Sequence, residues 1–279
     1  MIRNILIPTD GSEPGKVALE YALYIARKLG TSLTGLHVVD IRLLQAPVFS
    51  DISGSVGLPP YQEFLPAVEG GLEARAETIL AAFQQRCGEA GVPATARKVM
   101  GVIDESIIEA GREADGILLA RRGEHFHLGS GGILGSTAEA VVRKAGKPVI
   151  VTPDAFREIE SMALAYDGSA PARHALSIAA FLSGAAGWPL TVVLITDNQT
   201  LAAERMKQVE EALADAKIDA QTIVLPGKED KALLRFIQEG AVELMVMGAY
   251  GQGRLRELFV GSTTSAIIRK SPIPVLLTR

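Results

Sequence analysis

Leu244-Met-Val-Met247 runs straight into Gly248-Ala-Tyr-Gly251, and nine residues later stands Gly261-Ser262-Thr263. A G-x2-G-x9-G-[ST] spacing suits the binding of an anion. Glycines at the end of a strand let backbone N–H groups approach a phosphate with no Cβ in the way. Gly261-Ser262-Thr263 then opens a helical segment. Its unpaired N–H groups and positive dipole end would face the same anion, with two hydroxyls beside them. The plainer reading is a loop that needs positive φ and a helix that needs a cap. Context favours the anion: a strand precedes the motif, a helix follows, and Asp167 ends another strand expected on the same sheet edge. Met247, Gly248, Gly251, Gly253, Gly261, Ser262 and Thr263 are therefore candidate binding residues.

No catalytic set is read beside this motif. The chain has neither a G-x-S-x-G elbow nor a G-x4-G-K-[ST] loop, and Ser12 and Ser169 are better used as helix caps. His125 and His127, with His37, could suggest a metal. Their Gly-rich context and the lack of a completing carboxylate or cysteine set favour solvated loop histidines, and no metal is expected. Arg254 and Arg256 lie inside the glycine motif, as phosphate clamps or as a solvated loop face.

These residues need a frame, and the frame is a repeat. Ile5-Leu-Ile-Pro-Thr-Asp10-Gly-Ser12-Glu-Pro14 is echoed by Met162-Ala-Leu-Ala-Tyr-Asp167-Gly-Ser169-Ala-Pro171, at a spacing of 157. Later landmarks, Gly135-Ser136-Thr137 with Gly261-Ser262-Thr263 and Pro148 with Pro274, are spaced by 126. The first copy thus carries 31 extra residues, assigned to the Pro/Gly-rich stretch 42–71, read as a surface loop, a lid or a docking segment. Within each copy a short apolar strand leads to Asp-Gly-Ser, with Pro two residues on, the signature of a capped helix start. Ala18, Ala22, Ile25 and Leu29 follow at helical spacing, and Gly30 closes that helix. Leu72, Ala76, Ile79, Phe83 and Cys87 form a second stripe, so Cys87 is expected to be inert core. Strands alternate with helices throughout. This predicts an α/β fold of two tandem Rossmann-like or flavodoxin-like doubly wound domains, each with a five-stranded parallel sheet, over 1–155 and 156–279.

Length agrees, since 279 residues suit about two domains. Net charge is −4, with −3 in the first 155 residues and −1 in the rest, so neither half offers a nucleic-acid surface. A single cysteine excludes an internal disulfide, and no apolar run reaches the length of a membrane span. A cytoplasmic protein, with no membrane partner, is expected.

With these residues in view, the chain resembles the universal stress protein family in its tandem form. The resemblance rests on Pro8-Thr9-Asp10-Gly11-Ser12, Leu36-His37-Val38-Val39-Asp40, the second-copy glycine motif and the closing strands after Pro148 and Pro274. It runs from Ile2 to Arg279 apart from 42–71. It implies an open α/β sandwich, one branch of the family binding ATP, here with or without magnesium. By that resemblance Asp10 and Asp167 face the nucleoside and the backbones of Val38 and Ile195 read the adenine. The glycine motif holds ribose and phosphates.

The copies depart from the pattern in opposite ways. Copy two keeps the glycine motif, but Ala165 and Tyr166 replace Pro8 and Thr9, and Tyr166 could narrow the nucleoside end or stack on a base. Copy one keeps Pro8-Thr9-Asp10, but Ala120, Arg121 and Arg122 precede Gly123, and eleven residues separate Gly123 from Gly135. One competent site, in copy two, is expected. The weaker set is Pro8, Thr9, Asp10, Val38, Gly123, Gly135, Ser136 and Thr137. The closing strands read as edge strands. Single-domain relatives pair through them, so the tandem chain would be a pseudo-dimeric monomer or a homodimer. The functional expectation is a stress-response regulator that binds an adenine nucleotide and signals to an unidentified protein partner. A nucleotide-free interaction module and a slow ATP hydrolase are the alternatives.

Overall fold

The computed structural model describes residues 2–43, 61–123, 136–240, 242–249 and 262–279. The first copy comprises β1 (Asn4–Pro8), α1 (Glu13–Leu29), β2 (Ser32–Asp40), α2 (Tyr61–Glu89), β3 (Ala94–Gly101), α3 (Ile103–Gly111), β4 (Gly116–Ala120), α4 (Ser136–Lys144) and β5 (Val149–Thr152). The second comprises β6 (Met162–Ala165), α5 (Ala170–Ala186), β7 (Leu190–Ile195), α6 (Gln199–Ala216), β8 (Ala220–Leu225), α7 (Glu229–Gln238), β9 (Leu244–Gly248), α8 (Ser262–Lys270) and β10 (Val275–Thr278).

The helices begin where a side chain can satisfy their free N–H groups. Ser12 Oγ accepts from Gly15 N and Ser169 Oγ from Ala172 N, both at 3.2 Å. Gly30 and Gly187 end α1 and α5 at φ of 63° and 72°, a conformation that costs glycine little.

The ten described strands form one sheet, in the order β3-β2-β1-β4-β5-β10-β9-β6-β7-β8. Within each copy the neighbours are parallel; β5 and β10 meet antiparallel at the centre, Ile150 opposite Leu276. The closing strands are edges of their own halves and are covered by each other.

Register makes the two copies comparable residue by residue. Ile5 pairs with Leu33 as Met162 pairs with Leu190, and Leu33 with Ala94 as Leu190 with Ala220. The 31 extra residues therefore fall between β2 and β3. They are not all loop, which corrects part of the expectation for 42–71. A 3-10 turn covers Ile41–Leu43, and α2 begins at Tyr61 and runs 29 residues, against 18 for its counterpart α6. Once a helix is nucleated each further residue adds a hydrogen bond, so α2 continues through Pro66 and Gly70-Gly71. Residues 44–60 of that stretch lie outside the described residues.

Apolar residues fill both faces of the sheet, each fully buried Leu, Ile or Val contributing about 1.5–3 kcal/mol. One of the two clusters joins the copies. The Tyr24 ring stacks on Trp188 at 6.3 Å, and Tyr24 donates to the Ile159 carbonyl at 2.7 Å, pinning the connection between the halves. Cys87 packs inside the same cluster, and burial pushes its thiol up to about 11. Among the described residues no helix is long and apolar enough to cross a membrane.

Candidate functional site

In each half the chain turns away in opposite directions from two adjacent strands, β1 and β4 or β6 and β9. This leaves a crevice at their carboxyl ends.

The copy-two crevice has a volume of about 400 Å³. Ala165 and Asp167 reach it from the end of β6, Ile195 from β7, and Met247 and Gly248 from β9. Ser262, Thr263 and Thr264, the first turn of α8, form the facing wall. The strand before the glycine motif and the helix after it are thus present. Gly251, Gly253, Gly261, Arg254 and Arg256 lie outside the described residues.

Asp167 spends one oxygen on its own turn, Oδ1 accepting from Ser169 N at 2.9 Å, while Gly168 supplies the φ of 76° the turn requires. Tyr166 lines the crevice as well. It is 3% exposed, packs in the core cluster, and its hydroxyl donates to Gln208 Oε1 at 3.2 Å; burial raises its pKa. Gly248 has a second duty besides backbone access. A Cβ there would lie 2.8 Å from Ala172 N and from the Pro171 carbonyl carbon, so glycine lets the start of α5 press on β9. Five lining residues were not foreseen from sequence: Val193 of β7, Arg205 of α6, Glu229 and Leu233 of α7, and Thr264 of α8. Glu229 Oε2 accepts from Thr263 Oγ1 at 3.5 Å. The 126-residue spacing could have exposed two of them, because it pairs Arg205 with Ile79 and Glu229 with Ile103, charged residues against apolar ones.

The copy-one crevice measures about 200 Å³. It does bring together Pro8, Thr9, Asp10, Val38, Gly123, Ser136 and Thr137; Gly135, His125 and His127 lie outside the described residues. Asp10 Oδ1 accepts from Ser12 N at 3.0 Å and from Ser12 Oγ at 2.6 Å, and a Cβ on Gly123 would sit 2.9 Å from Asp10 Oδ2. His37 is held by its own strand end, Nδ1 lying 2.8 Å from the Thr9 carbonyl oxygen. Arg121 and Arg122 occupy the mouth, and both donate to Asp154 Oδ2. Ala120 pairs with Thr152 as Gly248 pairs with Thr278, so Arg121 stands where copy two has Ala249. Drug-sized ligands occupy pockets of about 300–1,000 Å³; the copy-two crevice falls in that range and the copy-one crevice below it.

The model of the universal stress protein family matches residues 1–153 and 195–279. The chain is 33% identical over its whole length, and that of the relative, to universal stress protein Slr1230 of Synechocystis sp.. It is 29% identical to universal stress protein MJ0577 of Methanocaldococcus jannaschii over 54% of this chain and 94% of that one. In three dimensions it superposes on the crystal structure of a universal stress protein from Archaeoglobus fulgidus with a TM-score of 0.76. That match covers 99% of this chain and 96% of the other at 24% identity, a likeness of fold.

Proposed function

The chain belongs to the universal stress protein family and carries two of its domains in tandem; from that premise we propose that it is a regulator that binds ATP in its second domain. We take the domains as 1–155 and 156–279. The observation that carries this reading is the contrast between two crevices built on one register. Copy two offers about 400 Å³, an Asp167 turn, the Ile195 strand end and the Ser262-Thr263 helix start. Copy one offers half the volume, with Arg121 and Arg122 already tied to Asp154.

In this reading the main-chain groups at Ile195 meet the adenine edge and Ala165 and Met247 line its apolar faces. The free N–H groups of the α8 first turn take the phosphates. The bound nucleotide supplies charge and shape, which a protein partner then senses. No residue of the crevice is assigned a catalytic role.

The test is native mass spectrometry of protein purified without added ligand, then calorimetric titration with ATP and magnesium. One nucleotide per chain is expected, lost in Gly261→Val and kept in Gly135→Val. Equal loss in both variants overturns the single-site claim, and the absence of both adduct and heat overturns nucleotide binding. Phosphate release above that of Gly261→Val overturns the non-catalytic reading.

A further inference from the structure

Arg205 sits at a helix position where the copies have chosen opposite chemistries. Ala202, Val209 and Leu213 of α6 are buried, and Arg205 lies three residues after the first and four before the second, on the sheet-facing stripe. In copy one the equivalent Ile79 closes over the Asp10 turn, its Cγ1 3.0 Å from where a Cβ on Gly11 would stand. In copy two Arg205 Nε lies 3.6 Å from the same point on Gly168. An apolar lid has been exchanged for a guanidinium at the rim of the larger crevice.

The charges around it sharpen the point. Among the described lining residues of the copy-two crevice, Asp167 and Glu229 are acidic and Arg205 is the sole cation. Asp167 is engaged with Ser169 N, and Glu229 with Thr263 Oγ1. Arg205 is half-buried and forms no ion pair with any described residue. A guanidinium at the rim that is in no ion pair can turn its donors to a ligand anion. The α8 N-terminus contributes only about half a positive charge, too little to offset two carboxylates and a polyphosphate together.

We propose that Arg205 is a specificity-determining residue of the copy-two crevice, a clamp that selects a nucleoside polyphosphate over a nucleoside or monophosphate. This rests on the nucleotide reading above and adds the ligand class to it. The guanidinium offers a fork of donors to phosphate oxygens on the side of the crevice opposite the start of α8.

The experiment is calorimetric titration of the wild-type chain, Arg205→Gln and Arg205→Lys with adenosine, AMP, ADP and ATP, with thermal unfolding as the fold control. Loss should grow with phosphate number. Arg205→Gln should weaken ATP about 10–100-fold, the worth of one charge-assisted hydrogen bond, and leave adenosine within about twofold. Arg205→Lys should fall between. A wild-type chain that binds ATP, with Arg205→Gln losing adenosine and ATP equally or losing neither, overturns the role of Arg205 and leaves the nucleotide reading standing. A wild-type chain that binds no adenine nucleotide overturns both.

Discussion

Arg121 Nη1 donates to the main-chain oxygen of Arg269, 2.9 Å away and 148 residues later in the chain. The same nitrogen reaches the Ser271 carbonyl at 3.3 Å, and Nη2 donates to Asp154 at 2.7 Å. A guanidinium from the rim of one crevice therefore caps the carboxyl end of α8, whose other end lines the second crevice. A cation at that end also complements the helix dipole.

Removing this strut should be expensive. The Arg121 side chain is 10% exposed and that of Arg122 is 32% exposed, although both bind the same carboxylate. Arg121→Ala should lower the free energy of unfolding by about 2–4 kcal/mol, through lost charged hydrogen bonds and carbonyls left unsatisfied. Arg122→Ala should cost less than about 1 kcal/mol, as solvent-screened pairs do. Urea denaturation of the two variants checks the difference.

The same carboxylate predicts an acid-sensitive link. Burial pushes the Asp154 carboxyl up, but hydrogen bonds from Arg122 and Arg121 outweigh it and hold it below its ordinary range. A group depressed in the folded state stabilises fully above its unfolded pKa, about 3.9, and stops doing so as pH falls through its folded value. Asp154→Asn should therefore be less stable than the parent at pH 6, with the gap narrowing below about pH 4. Denaturant titrations across that range decide it; a gap independent of pH rules the link out.

Gly248 separates packing from anion binding. A methyl group there would press on the backbone of Pro171 and Ala172, which cannot swing aside as a side chain can. Gly248→Ala should cost about 1–3 kcal/mol, the usual range for overpacking. Ala120→Gly at the equivalent point of copy one should cost about 0.5–1 kcal/mol, chiefly through backbone entropy. Thermal unfolding without nucleotide measures both, and equal effects would show that the α5 contact is not tight.

The repeat, strand order and helix caps were legible because they rest on local chemistry: Asp-Gly-Ser turns, glycine stops and apolar runs. The spacings of 157 and 126 bracketed the extra sequence between Pro14 and Gly135, and the Pro/Gly-rich composition of 42–71 assigned it to what is the β2–β3 connection. The part of α2 before Leu72 was not legible. Pro66 and Gly70-Gly71 read as breakers, and their cost is outweighed by propagation from the packed helix behind them. Of the candidate site, the residues at strand ends and at the start of α8 were found by motif. Arg205, Glu229 and the reach of Arg121 were not, because nothing local marks them. Their roles arise when segments far apart in sequence are brought to one sheet edge. Tyr166 was legible as a residue of the strand end, where it lines the crevice; its core packing and its bond to Gln208 were not.

The antiparallel seam also sets a timetable for synthesis. β5 has its final neighbour only when β10 exists, and residues 153–274 lie between them. At about 5–20 residues per second, a ribosome needs on the order of ten seconds to make that stretch. For that interval Val149–Thr152 stays open along one side. The newborn chain thus carries a bare strand edge until its own last strand arrives to cover it.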